Sequence, residues 1–513
     1  MHNLNLTTSR ETLDLAGDLD LEGQARRSAT LIEESAFSSK DTTEKGKVED
    51  LNPRLPATLA ADDPENPRNW SSLRKITVNS ILCTWVLTLT YSSTAYVASI
   101  PALINRFGIS EEVALIGVTF TVLGFAAGPL LFGPASEIYG RQAVYRLCAV
   151  GYSGFSFGMA FSSNAASLLV FRFFVGFFGS ASINNCPASI GDITNTQQRL
   201  TYTTFYALMA FGGPSLGPLV SAFIQHNAGF RWNLLVMAIF SCVISILVAL
   251  VPETHGPTLL QWREQRRLGS SSPRIPFRAQ ITLFKRALAR PIIYLFTEPV
   301  VALVSIYLST LYGILYGFFE AFGIVYRDIR GFSATQYGLT YIALGLGFCC
   351  GCVLLWTAGQ SLYERSARKD LARGELVRPE ARLSLGYYGA IVSPISLFIF
   401  AWTAPFKHVH WIAPCIAEFL FSCSMLLIFT GFVPFLVDCY TLTAASALAA
   451  GMASRALVGS VFPLFALQMY RGMTVQGATC LLAGLASLLA PIPFIFLRWG
   501  TTLRAKSRHM HPS

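Results

Sequence analysis

Charged residues are scarce in this chain of 513 residues: only 13% are Asp, Glu, Lys or Arg, whereas 52% are hydrophobic. Soluble globular proteins carry about a quarter charged residues, so the composition excludes a string of soluble domains. The sequence also lacks a histidine cluster, a recognisable nucleophile triad and a metal-spaced ligand set, which argues against an enzyme and against a cofactor or metal. The eleven cysteines lie in or at the ends of apolar runs, and we expect them to be free thiols.

Long apolar runs are what the chain has instead of charge. A run of about 20 apolar residues is long enough for a helix to cross a bilayer, and such runs occur about twelve times. They lie near residues 76–101, 113–134, 143–162, 166–187, 202–225, 232–252, 297–322, 334–358, 384–404, 411–431, 437–462 and 476–497. The pattern predicts an all-α membrane protein with twelve transmembrane helices.

Basic residues are unevenly distributed along the chain. Residues 1–67 carry seven Lys or Arg against fourteen Asp or Glu, and the remainder carries thirty-two against fifteen. The later basic residues fall in alternate connections, which is not the pattern of a nucleic-acid-binding surface. With a cytosolic amino terminus, twenty-four of them lie inside and six outside, a bias that favours this orientation. We therefore expect both termini to be cytosolic, with residues 1–75 forming a disordered tail.

The fifth run contains an unusual concentration of Gly and Pro, from Gly212 to Pro218. Pro214 and Pro218 each remove one helical hydrogen bond, and a membrane segment can tolerate this loss only where neighbouring groups satisfy the freed carbonyls. Gly213 and Gly217 form a GxxxG step on which another helix can pack closely. Two interpretations fit this pattern: a hinge in a moving helix, or a tight packing face.

A polar turn follows the second run, at residues 133–142. Glu137 and Arg141 are four residues apart, so this turn could latch against a neighbouring helix end. The alternative is a solvated turn with a surface ion pair, worth about 0–1 kcal/mol.

Several polar side chains lie inside apolar runs. Arg172 is in the fourth run, and a charge within a membrane span is a functional candidate by default; a purely structural Arg is the alternative. Asn184 and Asn185 follow on the same run and either line a cavity or hydrogen-bond between helices.

The later runs contain isolated acids as well. Tyr307, Tyr312, Tyr316 and Glu320 lie roughly along one side of the seventh run, with Glu320 either a cavity and proton-coupling residue or an anchor at the outer rim. Glu418 is an isolated acid in the tenth run. Arg455 in the eleventh run could pair with Glu418 or with Asp438.

These motifs resemble the major facilitator superfamily (MFS), in particular its fungal drug:proton antiporter branch, over about residues 62–508. The run of Gly213, Pro214 and Gly217 matches the Gly-Pro-x-x-Gly core of the antiporter motif, whereas Pro218 stands where many members have a second Gly. The turn between the second and third runs is similar to the family signature. The matching residues there are Gly133, Glu137, Gly140 and Arg141, and Asp192 matches the acid of helix four that completes the latch.

Other matches are shorter. Residues 66–70 look like the NPxNW motif of fungal multidrug and polyamine exporters, and residues 252–254 look like the PET motif after helix six. Arg172 matches the helix-four Arg that the family implicates in proton coupling. Residues 462–470, which include Gln468, resemble the end of helix eleven.

The resemblance implies the MFS fold, with six-helix bundles at residues 76–252 and 297–498, a cytosolic linker at 253–296, a cytosolic tail at 499–513 and a site between the bundles. It implies a monomeric plasma-membrane antiporter that exports hydrophobic toxins, drugs or an endogenous metabolite. The residues expected to line the cavity or couple protons are Arg172, Glu320, Glu418 and Arg455; those expected to contact substrate are Asn184, Asn185, Tyr312, Tyr316 and Gln468. Uptake of a polyamine or vitamin, and a membrane sensor without transport, are the alternatives.

Overall fold

The computed structural model describes residue 59 and residues 63–268, 277–373, 377–440, 444–505 and 507. Most of the predicted amino-terminal tail, residues 269–276 of the predicted linker, and residues 506 and 508–513 of the last predicted tail lie outside the described residues. Within the described part of the chain the regular secondary structure is helical throughout.

The described residues contain nine candidate membrane spans by length and composition. Two of these are 52 and 55 residues long, and each is interrupted by a residue with a non-helical backbone, Gly229 (φ +82°) and Thr474 (φ +64°). Each of the two therefore makes two crossings. Arg141–Ala160 is more polar, but its 20 residues are also enough for one crossing. The described residues thus form twelve spans, as the apolar runs predict.

We number the spans in chain order. Span 1 is Ser72–Ala95 and Ile100–Phe107 around a 3₁₀ turn at Tyr96–Ser99, span 2 is Glu111–Tyr139, span 3 is Arg141–Ala160, span 4 is Ala165–Gly179 and Ala181–Ile193, and spans 5 and 6 share Thr196–Ala249. Linker helices Gly256–Leu268 and Phe277–Thr297 follow. Span 7 is Pro299–Phe322 with the π-helical segment Gly323–Ile329, span 8 is Ala334–Leu354 with the π-helical segment Leu355–Gly359 and helix Gln360–Ala372, span 9 is Gly386–Thr403, span 10 is Ile412–Cys439, spans 11 and 12 share Ala444–Leu489, and Ile492–Ala505 extends span 12.

The two linker helices lie between spans 6 and 7. We call the end of the helix bundle at which they lie the linker side, and the opposite end the far side. Odd-numbered spans therefore begin at the linker side. Several far-side helix starts are capped by side chains: Ser110, Asn164 and Ser333 each accept a hydrogen bond from a backbone N–H three residues on, which satisfies one of the free donors of a helix start.

The predicted boundary between spans 10 and 11 is wrong. The apolar runs place span 10 at 411–431 and span 11 at 437–462, whereas span 10 continues to Cys439 and span 11 runs from Ala444 to residue 473. Glu418 and Asp438 are the only charged residues between positions 411 and 454. Hydropathy therefore does not mark the turn.

Spans 5 and 8 form a seam between the first six spans and the last six. Near the linker side, the Cys352 thiol lies 3.9 Å from the Thr204 carbonyl oxygen. The rings of Phe211 and Phe348 stack with their centres 5.6 Å apart. Toward the far side, span 8 has a glycine, Gly338, against Pro218 and Ala222 of span 5. The seam brings side chains from both halves together at mid-depth.

Candidate functional site

Four side chains meet near the middle of the helix bundle: Tyr312, Tyr316, Phe429 and Arg455. We call them the mid-depth cluster. The Arg455 guanidinium lies 5.5 Å from the ring centre of Tyr312 and 5.0 Å from that of Phe429, and the two tyrosine rings are 5.1 Å apart. Arg455 is eleven residues into span 11, which places it about 16 Å from the linker-side end of that helix. The cluster therefore lies at the depth expected for a transport site.

Small residues on spans 7 and 11 make room for the cluster. Spans 7 and 11 run in the same direction, and the hydroxyls of Ser309 and Ser454 are 2.9 Å apart. A Cβ on Gly459 would approach the Tyr312 ring to 2.7 Å, and one on Gly313 would approach Phe462 to 2.6 Å. Glycine is thus required at both positions for the helices to lie this close.

The cluster also contacts the first half of the chain. The Tyr316 and Ser93 hydroxyls are 3.4 Å apart, which joins span 7 to span 1. The rings of Phe211 and Phe429 are 4.9 Å apart, which joins span 5 to span 10. Tyr312, Tyr316 and Arg455 therefore lie where the two halves of the chain meet, as a cavity assignment requires.

Both predicted ion-pair partners of Arg455 are wrong. Glu418 accepts a hydrogen bond from the Tyr326 hydroxyl (2.6 Å), and Asp438 pairs with Arg382 (2.9 Å). Both acids belong to span 10, but Glu418 lies toward the far side of Arg455 and Asp438 toward the linker side. Neither acid reaches Arg455 because of this difference in depth, which the sequence alone does not reveal.

Glu418 is a fully buried carboxyl group. One of its oxygens accepts the Tyr326 hydrogen bond, and the other has no hydrogen-bond partner among the described residues. Tyr326 belongs to the π-helical segment that ends span 7, a type of irregularity that is frequent at functional sites. Because no cation contacts this carboxyl among the described residues, burying it as an anion is costly, and it is well suited to carry a proton.

Glu320 lies nearer to the far side than the cluster does. It is partly buried and within electrostatic range of Glu111 and Arg471, which form an exposed ion pair (3.1 Å) between span 2 and the end of span 11. This position fits an outer-rim anchor better than a cluster member.

Arg172 is fully buried, and backbone carbonyls accept hydrogen bonds from all three of its nitrogens. Nε donates to Gly117 (2.9 Å), Nη1 to Ser92 (2.8 Å) and Nη2 to Ser93 (3.0 Å). The Tyr96 N–H bonds to Thr94 rather than to Ser92, so the 3₁₀ turn of span 1 frees a carbonyl for the guanidinium. No acid among the described residues contacts Arg172, and this geometry supports the structural alternative. Its coupling role stays a prediction.

The remaining predicted substrate contacts lie away from the cluster. Asn185 is buried and donates to the Phe132 carbonyl of span 2 (3.3 Å), while Asn184 donates to Asn185 (2.9 Å); the helix-to-helix alternative therefore fits Asn185. Gln468 is exposed on the same side of span 11 as Val461 and Leu464. This placement does not support a substrate contact.

The predicted latch is partly assembled at the linker side. Arg141 Nε lies 3.4 Å from Asp192, and Nη1 donates to Ser136 (2.5 Å). Glu137 is exposed and has no hydrogen-bond or ion-pair partner among the described residues. The fold thus brings Arg141 and Asp192 together as predicted, but Glu137 takes no part in this contact.

Sequence reasoning missed the acid that holds the start of span 3. Glu253, in the residues that resemble the PET motif, is buried and accepts hydrogen bonds from the backbone N–H groups of Arg141 (3.0 Å) and Gln142 (3.0 Å). Such a carboxylate stabilises a helix start. Gly140 has φ +88°, and a Cβ there would come within 2.5 Å of Glu253. The resemblance to the PET motif marks Glu253 as a residue of interest, but nothing in the sequence indicates that its partner is the start of span 3 at position 141.

His255 lies beside this carboxylate. Burial, together with the nearby Arg141 guanidinium, lowers the pKa of His255 to about 4, so the ring is neutral at physiological pH. Its Nδ1 is 2.9 Å from the Thr258 hydroxyl.

The Gly-Pro region of span 5 packs directly on span 1. Cβ atoms on Gly213 and Gly217 would collide with the hydroxyls of Thr90 and Thr94, and the second would also come within 2.8 Å of the Ala95 nitrogen. The helix continues through Pro214 and Pro218, and Gly229 is its one residue with non-helical torsion angles. The packing-face interpretation therefore has direct support, and the hinge stays a prediction.

Replacing Gly217 with alanine is expected to destabilise the protein by about 1–3 kcal/mol, the usual cost of forcing an extra methyl into a packed interface. Gly212→Ala is the matched control, because a Cβ there has nothing within 4 Å and alanine is the better helix former. Melting temperatures of the detergent-purified variants should therefore fall for Gly217→Ala only. Equal melting temperatures would mean that spans 1 and 5 are not in this close contact.

Comparison with known proteins gives a consistent result. A family model described as Major Facilitator Superfamily matches residues 81–463. The chain is 36% identical to the efflux pump FUB11 of Gibberella moniliformis over 87% of this chain and 76% of that protein. It is 33% identical to polyamine transporter 4 of Saccharomyces cerevisiae over 96% of this chain and 79% of that protein. The E. coli xylose transporter XylE shares the fold (TM-score 0.59, 15% identity, 83% of this chain and 98% of that chain).

Proposed function

The chain belongs to the major facilitator superfamily, and from this premise we propose that it is a proton-driven efflux transporter that exports hydrophobic toxins, drugs or an endogenous metabolite across the plasma membrane. The observation that carries the proposal is its similarity, over most of its length, to a protein named as an efflux pump. We further propose that it acts as a monomer of two six-helix bundles.

The proposed orientation assigns the two ends of the transport path. The basic residues of the connections concentrate on the linker side, which we assign to the cytosol. Substrate then enters the space around the mid-depth cluster from the linker side and leaves at the far side. The latch residues Arg141 and Asp192 lie on the cytosolic side in this assignment, where a latch would hold the outward-facing state.

Glu418 is our candidate proton carrier. It lies six residues from the far-side start of span 10 and eleven residues, about 16 Å, from Phe429 on the same helix. A proton that arrives from outside therefore reaches a carboxyl group that is separate from the mid-depth cluster. Its hydrogen bond with Tyr326 joins spans 7 and 10, and these two helices supply Tyr312, Tyr316 and Phe429. Gain or loss of the proton would change how spans 7 and 10 pack against each other. The protonation state of Glu418 would thereby be coupled to the mid-depth cluster.

The second candidate function is polyamine transport, which the name of the yeast relative suggests. The mid-depth cluster speaks against it, because a polycation would meet the guanidinium of Arg455. No acid among the described residues contacts Arg455 to offset this repulsion.

Expression in yeast cells that lack their main exporters tests the proposed function. We expect cells with the full chain to accumulate less Nile red, a neutral hydrophobic dye, and to resist more compounds in a toxin panel than cells with the empty vector. A protonophore should remove the difference. Equal dye accumulation and equal toxin sensitivity in both strains would contradict efflux, and greater accumulation would indicate uptake.

A further inference from the structure

We propose that Arg455 binds an acidic group of the substrate, so that the favoured substrates are amphipathic organic acids with a hydrophobic body and a carboxylate. This inference rests on the proposed efflux function, which does not specify the charge of the substrate. It follows from how differently the chain surrounds Arg172 and Arg455, two arginines that lie deep within spans.

The two arginines lie within spans, where a charged side chain is costly unless its surroundings compensate it. The chain compensates Arg172 fully, with three backbone carbonyls at 2.8–3.0 Å. Arg455 receives no such acceptor: among the described residues, none accepts a hydrogen bond from it or forms an ion pair with it. A guanidinium has five N–H donors, so Arg455 retains most of its capacity to bind an anion.

The acids of the neighbouring spans lie at other depths. On span 10, Phe429 contacts Arg455, and the two acids of that helix are eleven residues before and nine residues after it, about 16 and 14 Å along the axis. Each already has a partner, Tyr326 for Glu418 and Arg382 for Asp438. On span 7, Glu320 is eight residues beyond Tyr312, about 12 Å farther toward the far side. At the depth of Arg455, spans 7 and 10 therefore provide no acid that could pair with its guanidinium.

Aromatic rings surround the guanidinium without using its donors. The faces of Tyr312 and Phe429 attract the cation, but they do not replace a carboxylate, which can accept two parallel hydrogen bonds from Arg. Phe429 also contacts Phe211, and Phe211 contacts Phe348. The same place thus combines a cation that suits an acid with aromatic side chains that suit a hydrophobic body.

A pair of probes of equal shape tests the inference: 1-naphthaleneacetate and its uncharged amide, 1-naphthaleneacetamide. Binding is measured with the purified full chain in lipid nanodiscs. We expect the wild type to bind the acid about tenfold more tightly than the amide, the gain of one charge-assisted pair. Arg455→Gln should reduce this preference to less than twofold, and Arg455→Lys should keep part of it, because lysine retains the charge but not the planar fork.

Arg471→Gln is the matched control. Arg471 is on the same span but is exposed and paired with Glu111, so its removal should leave the preference unchanged. The inference is wrong if the wild type binds both probes equally, if Arg455→Gln keeps the tenfold preference, or if Arg471→Gln loses it as fully. Size-exclusion chromatography checks folding; should Arg455→Gln fail to fold, the wild-type comparison and Arg455→Lys decide.

The two hypotheses fail separately in these experiments. Dye efflux from cells without a preference for the acid in nanodiscs refutes the anion site and leaves the efflux function standing. A preference for the acid that depends on Arg455, in a protein that lowers neither dye accumulation nor toxin sensitivity in cells, supports the site and refutes efflux.

Discussion

Glu418→Gln is expected to slow proton-driven efflux by about a hundredfold, the scale on which a lost proton-transfer group acts, while the protein still folds and binds substrate. Glutamine has the shape of glutamic acid, and its carbonyl oxygen can accept the hydrogen bond that the Tyr326 hydroxyl donates at 2.6 Å. It cannot release a proton. The change therefore removes the chemistry and leaves the packing of spans 7 and 10 intact.

The measurement is substrate transport in proteoliposomes under two conditions. With a pH gradient, Glu418→Gln should fail to concentrate substrate; without a gradient, exchange of labelled for unlabelled substrate should continue at a rate near that of the wild type. Glu320→Gln is the control, because Glu320 lies near the exposed Glu111 and Arg471 pair, and we expect it to keep at least about half of the gradient-driven rate. If gradient-driven transport survives in Glu418→Gln and is lost in Glu320→Gln, the proton carrier is Glu320 instead.

Arg172→Ala is expected to lower the amount of folded protein at the membrane severely. The substitution removes the hydrogen bonds that the guanidinium donates to the carbonyls of Gly117, Ser92 and Ser93. The Gly117 carbonyl keeps its hydrogen bond from the Thr121 hydroxyl (3.1 Å), whereas each buried carbonyl left without a donor costs about 1–3 kcal/mol. Spans 1, 2 and 4 lose the side chain that joins them. Arg172→Lys should rescue the abundance only in part, because one ammonium cannot reach three carbonyls in the geometry of the guanidinium.

Surface abundance and melting temperature measure this effect, with Arg455→Ala as the control. Arg455 also lies deep within a span, and it has no hydrogen-bonded partner among the described residues, so its removal should leave abundance near the wild-type level. Normal abundance of Arg172→Ala combined with loss of gradient-driven transport would overturn the structural role. That outcome would instead support the proton-coupling role implied by the family resemblance.

Local patterns in the sequence were sufficient for the class of the molecule. Apolar runs predict twelve spans because crossing a bilayer requires a minimum helix length, and the distribution of Lys and Arg favours one orientation. Motifs such as residues 133–141 and 213–217 indicate the family because each is contiguous. The turn between spans 10 and 11 was misplaced, since almost no charge interrupts the apolar residues there.

The partners of the buried polar groups could be assigned only from the folded chain. Arg172 and Arg455 look alike as sequence, one charge within an apolar run, yet one is bound by carbonyls 55 and 80 residues away and the other lies between aromatic rings. Glu253 reaches the start of span 3 from 112 residues away. Hydropathy and helix length are properties of a segment, so the sequence expresses them directly; the compensation of a buried charge depends on which helices become neighbours, and packing alone establishes that.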